Sequence, residues 1–141
     1  MVAEIRNRIA ESFAAQGLMA TLGATLEHIE PGEVRIALVP HPGVTQQHGY
    51  VHAGAITSVL DSACGYAALT LAPKGHGVLT AEFKINFLRP ADASHFVAIG
   101  RVSKAGKTLS VCQGEVIGEW GERTETVAIM QATMVTPAPR P

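Results

Sequence analysis

The sequence predicts an α+β fold in which one antiparallel sheet curls around a long central helix. Three observations carry that prediction. Residues 54–71 form an apolar run of helical length, interrupted by a single formal charge at Asp61. From residue 78 to residue 135 the chain alternates with the two-residue period of strands. An amphipathic helix and two shorter strands precede the apolar run. A helix that is apolar on most of its circumference needs cover nearly all round, and a sheet bent around it provides that cover.

The 141 residues suit one domain spanning 1–141, with no internal repeat and no linker. A hydrophobic share of 47% against 16% charged residues argues for a packed globule and against disorder. The net charge of -1, with no basic run, excludes a nucleic-acid-binding surface. The first residues, MVAEIRNRIAESF, carry acids and no long apolar core, so they are not read as a signal peptide. Cys64 and Cys112 lack metal or redox spacing and fit a reducing cytosol, which points to a cytoplasmic protein. A membrane span over residues 53–72 would place Asp61 near the bilayer centre, at a cost of about 3 kcal/mol, so no membrane partner is expected.

Taken in order, residues 2–16 are expected to be helical, with Ile5, Ile9 and Phe13 on one face and Gly17 as the C-terminal cap. Residues 22–29 read as a weak strand, paired through Pro31-Gly32 with residues 33–40, where Val34, Ile36 and Leu38 alternate. Residues 41–50 are a loop. The central helix ends before Pro73. Its apolar face holds Ile56, Leu60, Ala63 and Ala67, and an adjacent small or polar face holds Thr57, Ser58, Asp61, Gly65 and Ala68. In residues 78–88, Leu79, Ala81, Phe83, Ile85 and Phe87 should face one way, with Thr80, Glu82, Lys84 and Asn86 facing the other. Residues 96–103 and 108–118 form a hairpin about Lys104-Ala105-Gly106-Lys107, residues 123–135 a last strand, and residues 137–141 a frayed tail.

A carboxylate in an apolar helix is costly to bury unless something pairs with it or uses it. Asp61 is therefore the first candidate for chemistry. Taken alone it could equally be a structural acid. His48 and His52 stand four residues apart and could join Asp61 around a metal, but Gly49 and the loop context argue against such a pair, and no metal is expected. Cys64 sits in the apolar helix with no base beside it and reads as core.

The stretch HGYVHAGAITSVLDSACGYAA, residues 48–68, resembles the signature of the PaaI-like hotdog-fold acyl-CoA thioesterases. The strand ending Asn86-Phe87-Leu88-Arg89-Pro90-Ala91 resembles the strand that follows the helix in that family. The family carries a His-Gly-Gly loop at the start of the central helix, and His52-Ala53-Gly54 corresponds to it, with Ala53 replacing the first glycine. The resemblance implies hydrolysis of an acyl-CoA thioester to acid and coenzyme A, with no cofactor. It makes Asp61 the nucleophile or general base. It assigns Gln46 and His52 to orienting the thioester or water, the N–H groups near Ala53 and Gly54 to polarising the carbonyl, and Thr80 to holding the water. Arg89 is a candidate for a coenzyme A phosphate. A hydroxyacyl-thioester dehydratase and a non-catalytic acyl-CoA binding module are the alternatives.

Helix geometry adds a partner. Ala53 and Asp61 are eight residues apart, about 12 Å along a helix, whereas a carbonyl held at the helix start must lie within about 3 Å of its attacker. Two antiparallel central helices in a homodimer would set each Asp61 against the other chain's loop. The resemblance agrees, since such thioesterases form dimers with shared sites and often dimers of dimers.

Overall fold

The computed structural model describes residues 1–139. It contains α1 (Val2–Ala15), α2 (Gly17–Leu22), β1 (Thr25–Glu30), β2 (Glu33–Leu38), a 3-10 turn (Pro42–Val44), α3 (Ala53–Leu71), β3 (Leu79–Phe87), β4 (His95–Ala105), β5 (Leu109–Trp120) and β6 (Arg123–Val135). One antiparallel sheet in the order β1-β2-β4-β5-β6-β3 curls around α3. Of the expected frayed tail, residues 137–139 have no helix or strand, and 140–141 lie outside the described residues.

The core is the interface between α3 and the sheet. Ile56, Leu60, Ala63 and Ala67, the expected apolar face, are all fully buried, as are Val34, Ile36, Phe96 and Val116 on the strands beneath them. The helix lies very low on the sheet, because Gly100 on β4 and its cross-strand partner Gly114 on β5 have no side chains beneath it. A Cβ at Gly100 would overlap the Ala63 carbonyl and the Cys64 nitrogen, and one at Gly114 would lie 2.7 Å from Leu60 Cδ1. The β1–β2 turn is tied to the far end of the helix, where the Gly32 N–H donates to Thr70 Oγ1 at 2.8 Å. Gly32 has the positive φ, 83°, that this turn requires.

Two local expectations are corrected. Gly17 is not the cap of α1. The chain leaves the helix at Gln16 in extended conformation, and Gly17 begins the short α2, which ends on left-handed Gly23. Leu22 therefore belongs to α2 and is 9% exposed, and the first strand starts at Thr25. The β3 alternation is broken by a bulge. Thr80 pairs with Met134 and Phe83 with Ala132, so three residues of β3 span two of β6. Ala81 is the extra residue. Thr80 thus shares the inner face with Phe83, Ile85 and Phe87, while Leu79 turns out with Glu82, Lys84 and Asn86.

Candidate active site

The bulge aims Thr80 at the helix. Its hydroxyl donates to Asp61 Oδ1 at 2.7 Å and lies 3.5 Å from Met134 Sδ. The Asp61 carboxylate is half-buried rather than enclosed, because the Asp61, Ser62 and Gly65 side of α3 faces a cleft between α1 and the start of β3. The acid is thus oriented by one hydroxyl and open to a cleft of about 520 Å³.

The rest of the cleft wall comes from α1, the far half of α3 and the loop before β3. Tyr66 Oη accepts from Gln16 Nε2 at 2.9 Å and from Ser12 Oγ at 3.2 Å, and Ser62 Oγ donates to Gln16 Oε1 at 3.1 Å. The extended backbone at Gln16, between α1 and α2, lets its amide bridge two residues of α3. Arg8 reaches the last turn of α3, where its guanidinium donates to Leu69 O and Ala72 O. A cation at a helix C-terminus satisfies orphan carbonyls and complements the dipole. The sequence reading missed Arg8, Ser12, Gln16, Ser62, Tyr66 and His76. The polar side chains on an otherwise amphipathic α1 were the available signal.

The remaining candidates cluster at the start of α3. His52 is its N-cap: Nδ1 accepts from the Gly54 N–H at 2.7 Å. The ring is therefore unprotonated at Nδ1, and Nε2 is the nitrogen left to face a ligand. The Gly54 N–H is spent on this cap, which leaves the exposed Ala53 N–H as the helix-start donor. Thr57 Oγ1 and Ser58 Oγ bond back to the carbonyls of Ala53 and Gly54, at 2.8 and 2.7 Å. Gln46 Oε1 accepts from the N–H groups of His48 at 2.6 Å and Tyr50 at 3.1 Å, which closes the loop around left-handed Gly49. Its Nε2 is what remains for a ligand.

The structure therefore brings Asp61 and Thr80 together in one place and Gln46, His52, Ala53 and Gly54 in another. Asp61 lies two helical turns from Ala53 on the same helix. Arg89 is held on β6, with Nη1 3.0 Å from Thr126 O and 3.6 Å from Glu125 Oε1. Cys64 and Cys112 are fully buried. Burial first, then the nearby Cys112 and Asp61, pushes the Cys64 thiol far up, and burial raises Cys112 to about 11, so neither is a nucleophile. The one group of metal-ligating atoms found among the described residues is His28, Glu30 and Glu33, on the β1–β2 hairpin and away from the cleft. No helix among the described residues is long and apolar enough to cross a membrane.

Residues 48–124 match the family model of the thioesterase superfamily. A Saccharolobus solfataricus protein provisionally named an esterase is 38% identical over 90 residues, which span 64% of this chain and 59% of that protein. A Halobacterium salinarum protein with the same provisional name is 30% identical over 106 residues, 72% of this chain and 70% of that one. Among solved structures, a thioesterase family protein from Silicibacter pomeroyi superposes with a TM-score of 0.91 at 41% identity, over 94% of this chain and 97% of that one. The E. coli PaaI protein from the phenylacetic acid degradation operon superposes with a TM-score of 0.86 at 20% identity, over 99% and 98%. At that identity the likeness speaks for the fold.

Proposed function

The chain belongs to the thioesterase superfamily, with the hotdog fold, and from that premise we propose that it hydrolyses acyl-CoA thioesters through Asp61. The observation that carries the reading is the Thr80-oriented carboxylate facing an open cleft. A charged acid on an apolar helix, held by one hydroxyl and otherwise left to solvent, is set up to meet a ligand.

In this reading the thioester carbonyl is polarised by the Ala53 N–H at the positive end of the α3 dipole. His52 Nε2 and Gln46 Nε2 orient the thioester or the water. Asp61 either removes a proton from water as it attacks the carbonyl carbon, or attacks directly to form an anhydride that water then opens. In both routes the carbon–sulfur bond breaks, and coenzyme A leaves as the thiolate and is protonated. Thr80 fixes one carboxylate oxygen and leaves the other to react. The two groups of residues act together when α3 of a second subunit lies antiparallel alongside, so that each Asp61 serves the partner's helix start. Such dimers can pair again. Arg89 keeps Nη1 on Thr126 O and beside Glu125, and its remaining N–H groups would meet a coenzyme A phosphate. The two free cysteines support placing the reaction in the cytoplasm.

The test is Asp61→Asn. Asn keeps the shape and loses the charge, so thiol release from acyl-CoA should fall by about 10²–10⁴-fold while the melting temperature stays near wild type. Retained turnover would remove Asp61 from the chemistry. Acyl-CoA binding without turnover in the wild type would favour a binding module.

A further inference from the structure

Among the described residues, nothing in the fold asks for a glycine at position 65. Gly65 stands inside α3, where glycine is a poorer helix former than alanine. Its φ is not positive. A Cβ built on it would meet nothing within 4 Å. Gly100 and Gly114 stand in contrast, since their bare backbones seat α3. What Gly65 does face is the cleft. It lies four residues beyond Asp61 on the same side of the helix, about 6 Å along the axis. The α3 residues in the cleft wall are Asp61, Ser62, Gly65, Tyr66 and Leu69, all at Asp61 or beyond it. The cleft therefore leads away from the carboxylate in one direction, across the Gly65 backbone.

Accepting the cleft as the thioesterase site, we propose that Gly65 sets the size of the acyl group, its bare backbone receiving the first carbons beyond the carbonyl. A carbonyl carbon attacked by Asp61, or by water held on it, sits about 3 Å from the attacking oxygen. An acyl chain that leaves it along the cleft then crosses the next helical turn, where Gly65 presents main chain and no side chain. The coenzyme A arm is the poorer occupant. Its amides need hydrogen-bond partners, whereas Ser12, Gln16, Ser62 and Tyr66 in the wall already bond one another. A hydrocarbon chain asks nothing of them. A methyl group at position 65 takes room from that chain, and a branched side chain closes the way.

The test compares acetyl-CoA with hexanoyl-CoA in the wild type, Gly65→Ala and Gly65→Leu. Wild-type kcat/KM should be about ten-fold higher for hexanoyl-CoA, since the added methylenes leave water for the cleft. Gly65→Leu should lower the hexanoyl-to-acetyl ratio about ten-fold, and Gly65→Ala should lower it by less. Gly65→Ala should also raise the melting temperature by about 3 °C, because alanine is the better helix former and displaces nothing. Should Gly65→Leu melt early, the ratio in Gly65→Ala decides. A ratio that does not change, whether or not both rates fall, would place Gly65 under the coenzyme A arm or against a second subunit. That result would overturn the proposal and leave hydrolysis intact. So would a Gly65→Ala chain that melts earlier than the wild type, or a wild-type preference for acetyl-CoA. If the wild type turned over neither thioester, hydrolysis itself would fall. Calorimetry with the same two thioesters would then decide the cleft. Tighter binding of hexanoyl-CoA that Gly65→Leu abolishes supports the acyl channel, and binding that is equal, unaffected by the variant or absent overturns it.

Discussion

Thr80 shows how much hangs on one hydroxyl. Thr80→Val keeps the branched shape on an exposed edge strand and removes the donor to Asp61. Its kcat should fall about ten-fold with little change in stability, because one hydrogen bond to a charged group is lost at a site water can reach. An unchanged kcat would mean that Asp61 is oriented by something else. The lone charge in the apolar run singled out Asp61, whereas Thr80 was named only through resemblance to a family. Simple alternation placed Thr80 on the outer face with Glu82 and Lys84. The bulge at Ala81 reverses that, and nothing about an alanine announces a bulge. Gln46 and His52 were legible as site candidates. Their use in shaping their own loop was not, because capping by His52 Nδ1 and the closure around Gly49 depend on backbone direction.

At the scale of the element, the strands beneath the helix are cross-linked by charge. Glu33 on β2 accepts from Arg101 on β4 at 2.8 Å and from Arg35 at 3.0 Å, and Arg101 reaches Glu115 on β5 at 3.4 Å. Burial acts to raise the Glu33 carboxyl, but the two arginines outweigh it and hold it below its ordinary value of 4.5. A depressed carboxylate stabilises the fold above the unfolded value, and that contribution is lost as pH falls through the lower folded value. Glu33→Gln should therefore melt earlier than wild type at neutral pH, with the difference shrinking below about pH 4. A difference that is independent of pH would assign the loss to packing. The sequence made β2 and the later hairpin legible by their period. It did not reveal this network, which joins residues far apart in the chain and depends on β2 lying next to β4. The small α2 was hidden for a related reason: Gly17 reads as a stop signal, yet it opens the next helix.

The whole molecule carries the question of assembly. An Asp61→Asn chain and a chain disabled at both Gln46 and His52 should each be inactive alone. Refolded together, they should regain a fraction of wild-type activity, because a mixed dimer holds one intact site if sites are shared. Mixed dimers that form but stay inactive would sink the shared site. The number and order of the main elements was readable from period and turn residues alone. The open side of α3 was not. Its sequence is apolar enough to suggest complete enclosure, whereas Asp61, Ser62 and Gly65 are only half-buried, and Phe83 and Phe87 on the inner face of edge strand β3 are 43% and 45% exposed.

The bare patch made by Gly100 and Gly114 also bears on the order of events in folding. Its two halves meet only once β4 and β5 have paired in register, with Gly100 under the backbone of α3 and Gly114 under the side chains of Leu60 and Cys64. Docking of α3 is therefore expected to follow a hairpin whose strands come later in the chain than the helix itself. A ribosome would release the helix before its seat is built. Gly114→Ala narrows that seat against the buried side chains of Leu60 and Cys64 and the Ile99 carbonyl, so it should slow refolding while leaving unfolding nearly unchanged. Stopped-flow rates across a denaturant series would show the folding limb shifted down and the unfolding limb in place.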